Sequence, residues 1–198
     1  MPLDACFPYG KLIFFATGNL HKFNEARRVL AEYGISAAML KVKTLEIQDS
    51  DIENIAKISA LNVVHEANLP VIVEDAGLFV EMLNGFPGPY SSYVYKTIGV
   101  SGLLRLLEGV DNRKAHFKSV VAFCDPSGQI KCFQGVVEGR ISREPRGCGG
   151  FGFDPIFEPN EQLNKTFAEM NAEEKNRFSH RAKAMRAFAE WYRGLRRL

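Results

Sequence analysis

An apolar run, KLIFFA at residues 11–16, leads through the short loop TGN into a segment with helical hydrophobic spacing. The apolar positions of that segment recur at intervals of three and four residues: Phe23, Ala26, Leu30 and Tyr33. Gly34 follows as a helix-ending residue. A strand, a loop and a helix are therefore predicted in succession. In α/β proteins such a junction presents free amides and a helix N-terminus to phosphate groups.

The middle of the chain predicts a second helix and two further strands. Apolar residues recur at helical spacing over residues 51–67, and the apolar run VIVE follows at 71–74. LFVEML (78–83) reads as another strand, which leaves Asp75 between the two. NGFPGPY (84–90) is rich in glycine and proline and predicts a rigid, exposed loop.

The second half predicts a β-hairpin and a terminal helix. FKSVVAFC (117–124) and QIKCFQGVVEG (129–139) bracket the turn sequence DPSG, so the sheet is at least partly antiparallel. GLLRLLEG (102–109) predicts a short helix before the hairpin. Asn171 and Glu174 form a capping-box pattern at the start of a final helix. The core-facing stripe of that helix comprises Phe178, Ala182, Met185, Ala189 and Tyr192.

These elements predict an α/β protein with a mixed sheet, helices on its faces and a cleft between two lobes. A chain of 198 residues that is 46% hydrophobic buries a substantial core as one domain or two intimate lobes. The formal net charge of +2 is too balanced for a protein that binds nucleic acid through a global basic field. We therefore expect no stable nucleic-acid partner.

The four cysteines are scattered and form no CxxC pair: Cys6, Cys124, Cys132 and Cys148. This spacing argues against a zinc site and favours a reducing cytoplasm. Hairpin pairing would set Cys132 near Val121, so a disulfide to Cys124 is not expected. Neither a secretion signal nor a membrane span is expected from the hydropathy pattern.

Seven motifs that suit a nucleotide pocket occur along the chain: TGNLHKFNE (17–25), EIQ (46–48), EDAGL (74–78), GFPGPYSS (85–92), GGFGFDPIF (149–157), KTFAEM (165–170) and EEKNRFSHR (173–181). In this order the set resembles the inosine triphosphate pyrophosphatase family, from about Lys11 to about Arg193. Members of that family hydrolyse non-standard purine nucleoside triphosphates to the monophosphate and pyrophosphate with magnesium.

The resemblance implies an elongated α/β fold, usually a homodimer, with Mg²⁺ as cofactor and ITP, dITP or XTP as substrate. It implies one two-lobed catalytic domain over residues 11–198 after an N-terminal extension at 1–10. Substrate-binding roles carry over to three sets of residues: the phosphate-binding loop of Thr17, Gly18, Asn19 and Lys22; the base and sugar pocket of Phe151, Gly152, Phe153, Asp154, Lys175, His180 and Arg181; and Leu20, His21 and Ala76. Glu46 and Asp75 carry over as metal ligands, and Asp75 also as the catalytic acid.

The implied roles suit the residue types. Mg²⁺ takes one or two carboxylates plus phosphate oxygens, which fits Glu46 and Asp75, with Glu74 as a possible third ligand. Asp75 is the expected general base for the attacking water. Lys22 is expected to neutralise phosphate charge, with Glu25 as a structural partner that holds it.

At the base pocket, one phenylalanine ring of the glycine-rich loop is expected to stack on the purine and the other to join the core. His180 and Arg181 are expected to donate to a 6-keto oxygen, which adenine lacks. Ala76 stands where the family commonly has a small hydroxyl residue, so one hydrogen bond is missing here.

Each role has a structural alternative. Asp75 with Gly77 suits a simple turn, Asn19 suits a helix cap, and Glu46 suits a solvated acidic face. His180 and Arg181 suit an ion pair on a helix surface. Two other functions are open: a pyrophosphatase for pyrimidine nucleotides, and a nucleic-acid module using Arg113, Lys114, His116, Lys118 and the tail WYRGLRRL.

Overall fold

The computed structural model describes residues 7–42, 45 and 47–195. Its seven-stranded mixed sheet comprises β1 (Leu12–Ala16), β2 (Ser36–Leu40), β3 (Val71–Val80), β4 (Pro87–Gly88), β5 (Lys114–Cys124), β6 (Ile130–Ile141) and β7 (Phe157–Pro159). The helices are α1 (Leu20–Glu32), α2 (Ile52–Ala67), α3 (Ser91–Thr97), α4 (Gly99–Leu106), α5 (Ala172–Asn176) and α6 (His180–Gly194). The strands follow the order β2-β1-β3-β5-β6-β7, with β4 paired to β3. The expected α/β class with a mixed sheet and flanking helices is confirmed.

The strand, loop and helix predicted at the start of the chain are confirmed in β1 and α1. Asn19 caps α1 because its side chain accepts hydrogen bonds from the backbone N–H groups of His21 and Lys22. Gly34 follows the helix with a φ of 67°, a conformation that glycine adopts without strain. The helix-cap alternative for Asn19 is thus confirmed, and a cap at this position is compatible with an additional role in binding substrate.

The prediction of two strands around Asp75 is wrong. β3 runs without interruption from Val71 to Val80, and residues 81–83 form a 3₁₀ turn instead of the end of a strand. Gly77 is needed because β4 passes over it: a Cβ at Gly77 would overlap the carbonyl group of Gly88. The turn interpretation of Asp75 and Gly77 is therefore excluded.

The loop at 84–90 is only partly exposed. Pro87 and Gly88 are buried and form β4, antiparallel to Leu78 and Phe79 of β3. This strand pairing ties the segment to the sheet, so the expected exposure holds for only part of the loop.

The hairpin of β5 and β6 is confirmed with a register one residue away from the expected one. Cys132 lies opposite Ala122, and Val121 lies opposite Phe133. Cys124, Cys132 and Cys148 are free thiols, so the expectation that Cys124 and Cys132 form no disulfide is confirmed. No helix in residues 7–42, 45 and 47–195 is long and apolar enough to cross a membrane.

The single final helix predicted after Asn171 is in fact two helices. The Asn171 and Glu174 capping box is present at the start of α5. α5 ends at Asn176, and Ser179 caps a second helix, α6, by accepting a hydrogen bond from Ala182 N. His180 and Arg181 are consequently the first two residues of α6, and both are buried in the protein's interior.

Successive side chains of β3 face opposite sides of the sheet. One side carries Ile72 in a core shared with α1 and α6, and the other carries Val71 and Val73 in a core shared with α2. A third cluster, at the far end of the long strands, contains Leu78, Val80 and residues from α3 and α4. Glu74 and Asp75 lie between these cores and therefore face opposite sides of β3.

Candidate active site

Glu74 is a fully buried carboxylate with three polar neighbours. Its Oε1 accepts hydrogen bonds from Ser119 Oγ at 2.6 Å and from Arg181 Nε at 3.1 Å. Its Oε2 lies 3.0 Å from Lys22 Nζ. β3, β5, α1 and α6 each contribute one member of this group. The group ties the first turn of α1 to the first turn of α6.

A second set of ion pairs extends from the first. Glu25 contacts Lys175 Nζ at 2.9 Å and also pairs with the Arg181 guanidinium. Lys175 Nζ lies 2.7 Å from Asp154 Oδ2, and both side chains are buried. We call Lys22, Glu25, Glu74, Asp154, Lys175 and Arg181 the buried charge network. The prediction that Glu25 holds Lys22 is wrong, because Glu25 pairs with Lys175 and Arg181 while Lys22 pairs with Glu74.

The network fixes the charges of its members. Burial alone would raise the pKa of Glu74, but Arg181 and Lys22 outweigh burial and lower it to about 2. Burial also raises the pKa of Glu25, but the charges of Arg181 and Lys175 outweigh burial and hold this pKa below its ordinary value. Burial lowers the pKa of Arg181, yet Glu74 and Glu25 raise it overall. All three side chains are ionised at neutral pH.

Asp154 joins the network to the glycine-rich loop. Its Oδ2 accepts a hydrogen bond from the backbone N–H of Phe151 at 2.8 Å. Gly150 has a φ of 68°, and a Cβ there would overlap the Asp154 carboxylate, so the loop closes tightly around this acid. The sequence motif GGFGFD is therefore explained by the need to bring a backbone N–H onto a buried carboxylate.

The two phenylalanines of that loop have different surroundings, as predicted. Phe153 is 3% exposed and packs in the core of the far end of the sheet. Phe151 is partly exposed and lines a cavity of about 150 Å³ together with His21, Glu25, Phe167 and Lys175. Phe151 is thus the ring available for stacking.

His180 is buried beside the network and is not on a helix surface. Its ring stacks on Phe117 with centroids 4.6 Å apart and planes 10° from parallel. Burial, followed by the charges of Arg181 and Lys175, lowers its pKa well below the ordinary value, so the imidazole is neutral. Arg181 is 2% exposed. The alternative of an exposed ion pair between His180 and Arg181 is excluded.

Asp75 lies on the opposite face of β3 and has different surroundings. It is partly exposed and lines an open cavity of about 750 Å³ with Gln48, Ile55, Tyr90 and Tyr93. This cavity lies between the start of α2 and the segment from β4 to α3. A polar ligand on that face can reach Asp75 without disturbing the core.

An open stretch of the β3 edge connects the two faces. On this edge β1 pairs with β3 only at Val71 and Ile72, and β4 pairs only at Leu78 and Phe79. No described strand pairs with residues 73–77 on this edge. Lys22 Nζ donates to the Glu74 carbonyl there at 3.2 Å, so the backbone N–H and C=O of Ala76 face the same edge. A ligand crossing the edge would meet the backbone N–H and C=O of Ala76. Contact with these groups does not require a side-chain hydroxyl at position 76.

The loop between β1 and α1 borders this opening. Thr17 Oγ1 accepts a hydrogen bond from Asn19 N at 3.1 Å, and Gly18 is exposed with nothing within 4 Å of a built Cβ. Asn19 already accepts from the amides of His21 and Lys22. Two amides of the helix terminus are therefore already used by the cap. The groups that remain to bind an anion are the amides of Gly18 and Leu20 and the Lys22 ammonium.

The carboxylates near the open edge differ in how well they suit a magnesium ion. Asp75 fits, because Mg²⁺ requires few protein carboxylates and an open position for water and phosphate. Glu74 does not fit, because its two oxygens are engaged by Ser119, Arg181 and Lys22. Glu46 lies outside the described residues. Three or more His, Cys, Asp or Glu side chains do not cluster as a ready-made metal cage within the described ranges.

The structure thus brings most of the predicted residues together in two groups. Phe151, Asp154, Lys175 and Arg181 lie on one side of β3 with Lys22, and Asp75 lies on the other. Sequence patterns missed the central roles of Glu25, Glu74 and Ser119. The only local signal was the presence of acids within the motifs TGNLHKFNE and EDAGL.

The chain is thus a mixed α/β protein with a loop-helix junction beside an open strand edge, a buried charge network on one face of β3 and an accessible carboxylate on the other. The chain belongs to the Ham1 family, whose model matches residues 13–191.

Relatives in this family cover nearly the whole chain. The dITP/XTP pyrophosphatase of Methanopyrus kandleri is 52% identical over 181 residues, which is 91% of this chain and 96% of the relative. The protein of the same name from Thermococcus kodakarensis is 52% identical over 89% of this chain and 95% of its own length. Among solved structures, a HAM1 protein from Coxiella burnetii superposes with a TM-score of 0.80 at 31% identity, covering 91% of this chain and 97% of that one.

Proposed function

We propose that this protein is a nucleoside triphosphate pyrophosphatase that hydrolyses ITP, dITP and XTP to the monophosphate and pyrophosphate. The observation that carries the proposal is the pairing of two sites around one strand. A cationic, aromatic pocket lies on one face of β3, and an accessible carboxylate lies on the other, with an open edge between them. The names of the relatives at about half identity support the same substrate class.

The phosphates of the substrate would lie along the loop after β1 and the open β3 edge. Lys22 and the loop amides would neutralise phosphate charge at this position. Ala76 would contribute its backbone N–H. A triphosphate needs such cations because water must otherwise approach phosphorus against several negative charges.

Asp75 would orient the attacking water and accept its proton. The water oxygen then bonds to the α-phosphorus, the bond to the bridging oxygen breaks, and pyrophosphate leaves with the bonding electrons. A bound Mg²⁺, held by Asp75 and by Glu46, would supply further charge neutralisation for the phosphates.

The base would lie against Phe151 above the buried charge network. A 6-oxopurine presents an acceptor at O6 and an N–H donor at N1, whereas adenine presents an amino donor and a bare ring nitrogen. Lys175 and Arg181 supply donors to O6, and Glu25 supplies an acceptor for N1–H. Adenine would form neither contact and would set its amino donor against these cations, which gives a physical basis for rejecting ATP.

The nucleic-acid alternative receives little support. The Arg113 guanidinium donates to three backbone carbonyls, those of Leu107, Ile141 and Ser142, instead of pointing to solvent. His116 stacks on Phe79 with centroids 4.9 Å apart. Two of the four basic residues that suggested the alternative are therefore engaged in packing or hydrogen bonding within the fold.

A homodimer in the cytoplasm completes the proposal. Several large exposed apolar side chains lie in the segment from just before β4 to the start of α4: Phe86, Tyr90, Tyr93, Tyr95 and Ile98. Such a surface suits a subunit contact. The free cysteines suit a reducing compartment. Light scattering that gives a monomer at working concentration would contradict the dimer.

The substrate panel tests the proposed function. Pyrophosphate release would be measured from ITP, XTP, ATP, GTP and UTP, with Mg²⁺ and with a chelator in its place. We expect release from ITP and XTP far above that from ATP, and loss of release with the chelator. Preference for UTP would favour the pyrimidine alternative, and absence of release from every nucleotide would overturn the enzymatic proposal.

A further inference from the structure

The exposed ring of Phe151 already has an aromatic neighbour. The His21 imidazole stacks on it with centroids 5.2 Å apart and planes 24° from parallel. His21 lies in the first turn of α1, and Phe151 lies in the glycine-rich loop before β7. The two rings therefore meet across the mouth of the cavity, from parts of the chain that are far apart in sequence.

Cations lie close to the same phenylalanine. Lys175 Nζ is 5.1 Å and Arg181 Cζ is 5.4 Å from the centroid of the Phe151 ring. Both cations are anchored by buried carboxylates, so they cannot move far. The His21 side chain, by contrast, is exposed, and the hydrogen bond of this residue to Asn19 involves only its backbone N–H.

We propose that His21 and Phe151 form a sandwich that grips the nucleobase, with His21 as the movable wall. This inference rests on the proposed function. Optimal stacking places ring atoms roughly 3.5 Å apart, so a base held between two rings requires roughly 7 Å between them. The imidazole, which stacks directly on Phe151, must therefore withdraw to admit a base, and rotation of an exposed side chain permits this.

The two walls have different mobility for a structural reason. The backbone of Phe151 is tied to Asp154 through its N–H, and Asp154 is tied to Lys175. The backbone N–H of His21 is tied to Asn19, but its side chain is exposed and, among the described residues, is held only by the stacking contact with Phe151. The fixed ring would set the position of the base above the charge network, and the imidazole would close over the other face of the base.

The test compares a ligand with a base and one without. Dissociation constants for ITP and for inorganic triphosphate would be measured for the unmodified protein, His21→Ala, His21→Phe and His65→Ala. Stacking of one base on one aromatic side chain corresponds to roughly tenfold in affinity. We expect His21→Ala to weaken ITP binding by about that factor and to leave inorganic triphosphate within about twofold.

Two variants serve as controls for the loss of the stacking ring. His21→Phe keeps a stacking face and should bind ITP within about threefold of the unmodified protein. His65→Ala removes an exposed histidine at the far end of α2 and should change neither constant. Circular dichroism would verify that each variant is folded.

The outcomes separate the inference from the function on which it rests. Unchanged or tighter ITP binding by His21→Ala, in a protein that hydrolyses ITP, would overturn the sandwich alone. Equal weakening of ITP and inorganic triphosphate would also overturn it, because it would indicate damage to the phosphate loop. Failure of the unmodified protein to bind or hydrolyse ITP would overturn the proposed function and the sandwich together.

Discussion

Glu74 and Asp75 are consecutive carboxylates on one strand, and their surroundings differ in every respect that matters for chemistry. Glu74 is buried, holds three polar partners and has its pKa lowered to about 2. Asp75 faces the other side of the sheet and borders an open cavity. The alternation of side chains along a strand produces this difference. Glu74 therefore holds the buried charge network together, whereas Asp75 is accessible from the open cavity.

The largest structural effect is expected from Glu74→Gln. Removing the charge leaves Arg181 and Lys22 with one carboxylate fewer in a buried setting, which typically lowers the free energy of unfolding by about 3–5 kcal/mol. Chemical denaturation would measure it. Asp75→Asn is the matched control, because the same chemical change at the neighbouring, partly exposed residue should lower that free energy by less than about 1 kcal/mol. Equal losses in the two variants would contradict the comparison.

The free energy of unfolding should depend on pH in the acid range because of Glu74. Its pKa is about 2 in the folded protein against an ordinary value of 4.5. A lowered pKa contributes stability above pH 4.5, and this contribution is lost as the pH falls from 4.5 toward 2. The loss amounts to about 3 kcal/mol for this group. Denaturation at a series of pH values should show a shallower acid dependence in Glu74→Gln, and parallel curves would count against the assignment.

A smaller effect is expected where β6 supports the network. A Cβ on Gly135 would overlap the carbonyl group of His180 and the amide of Ala184, both in α6. Gly135→Ala should therefore push the first turn of α6 away and lower the free energy of unfolding by about 1–3 kcal/mol. Gly194→Ala, near the end of the same helix with nothing within 4 Å of the new Cβ, is the control and should not destabilise the protein. Calorimetry distinguishes the two.

The smallest effect is expected from Ala76→Ser. This change restores the hydroxyl that is common in the family, but the proposed contact uses the backbone N–H of the open β3 edge. We expect kcat/KM for ITP to change by less than about fivefold, within the range of one modest hydrogen bond. A gain of a hundredfold would show that the side chain, and not the strand edge, is the missing element.

Local patterns predicted much of the fold. The junction of β1 and α1, the β5–β6 hairpin and the Asn171 cap all depend on residues within a few positions of one another. β3 was predicted as two strands because glycine commonly signals a turn, whereas Gly77 serves the close approach of Gly88. Helix α6 was merged with α5 because the hydrophobic spacing continues through Ser179, which in fact begins a new helix.

The site was predicted residue by residue but not in its connections. Lys22, Lys175 and Arg181 were identified from motifs, yet their partners come from elements distant in the chain. Glu25 reaches Lys175 and Arg181 only because α1 packs against α5 and α6. No spacing rule could assign these pairs, since the sheet order that brings them together is decided by tertiary packing.

The division of labour between the two faces of β3 is tested most directly by Asp75→Asn, with ITP binding and pyrophosphate release measured on the same preparation. We expect the dissociation constant for ITP to stay within about threefold of the unmodified value, because the base pocket is intact, and pyrophosphate release to fall by roughly 10²–10⁴-fold. A variant that releases pyrophosphate at the normal rate, or that loses ITP binding together with turnover, would contradict it.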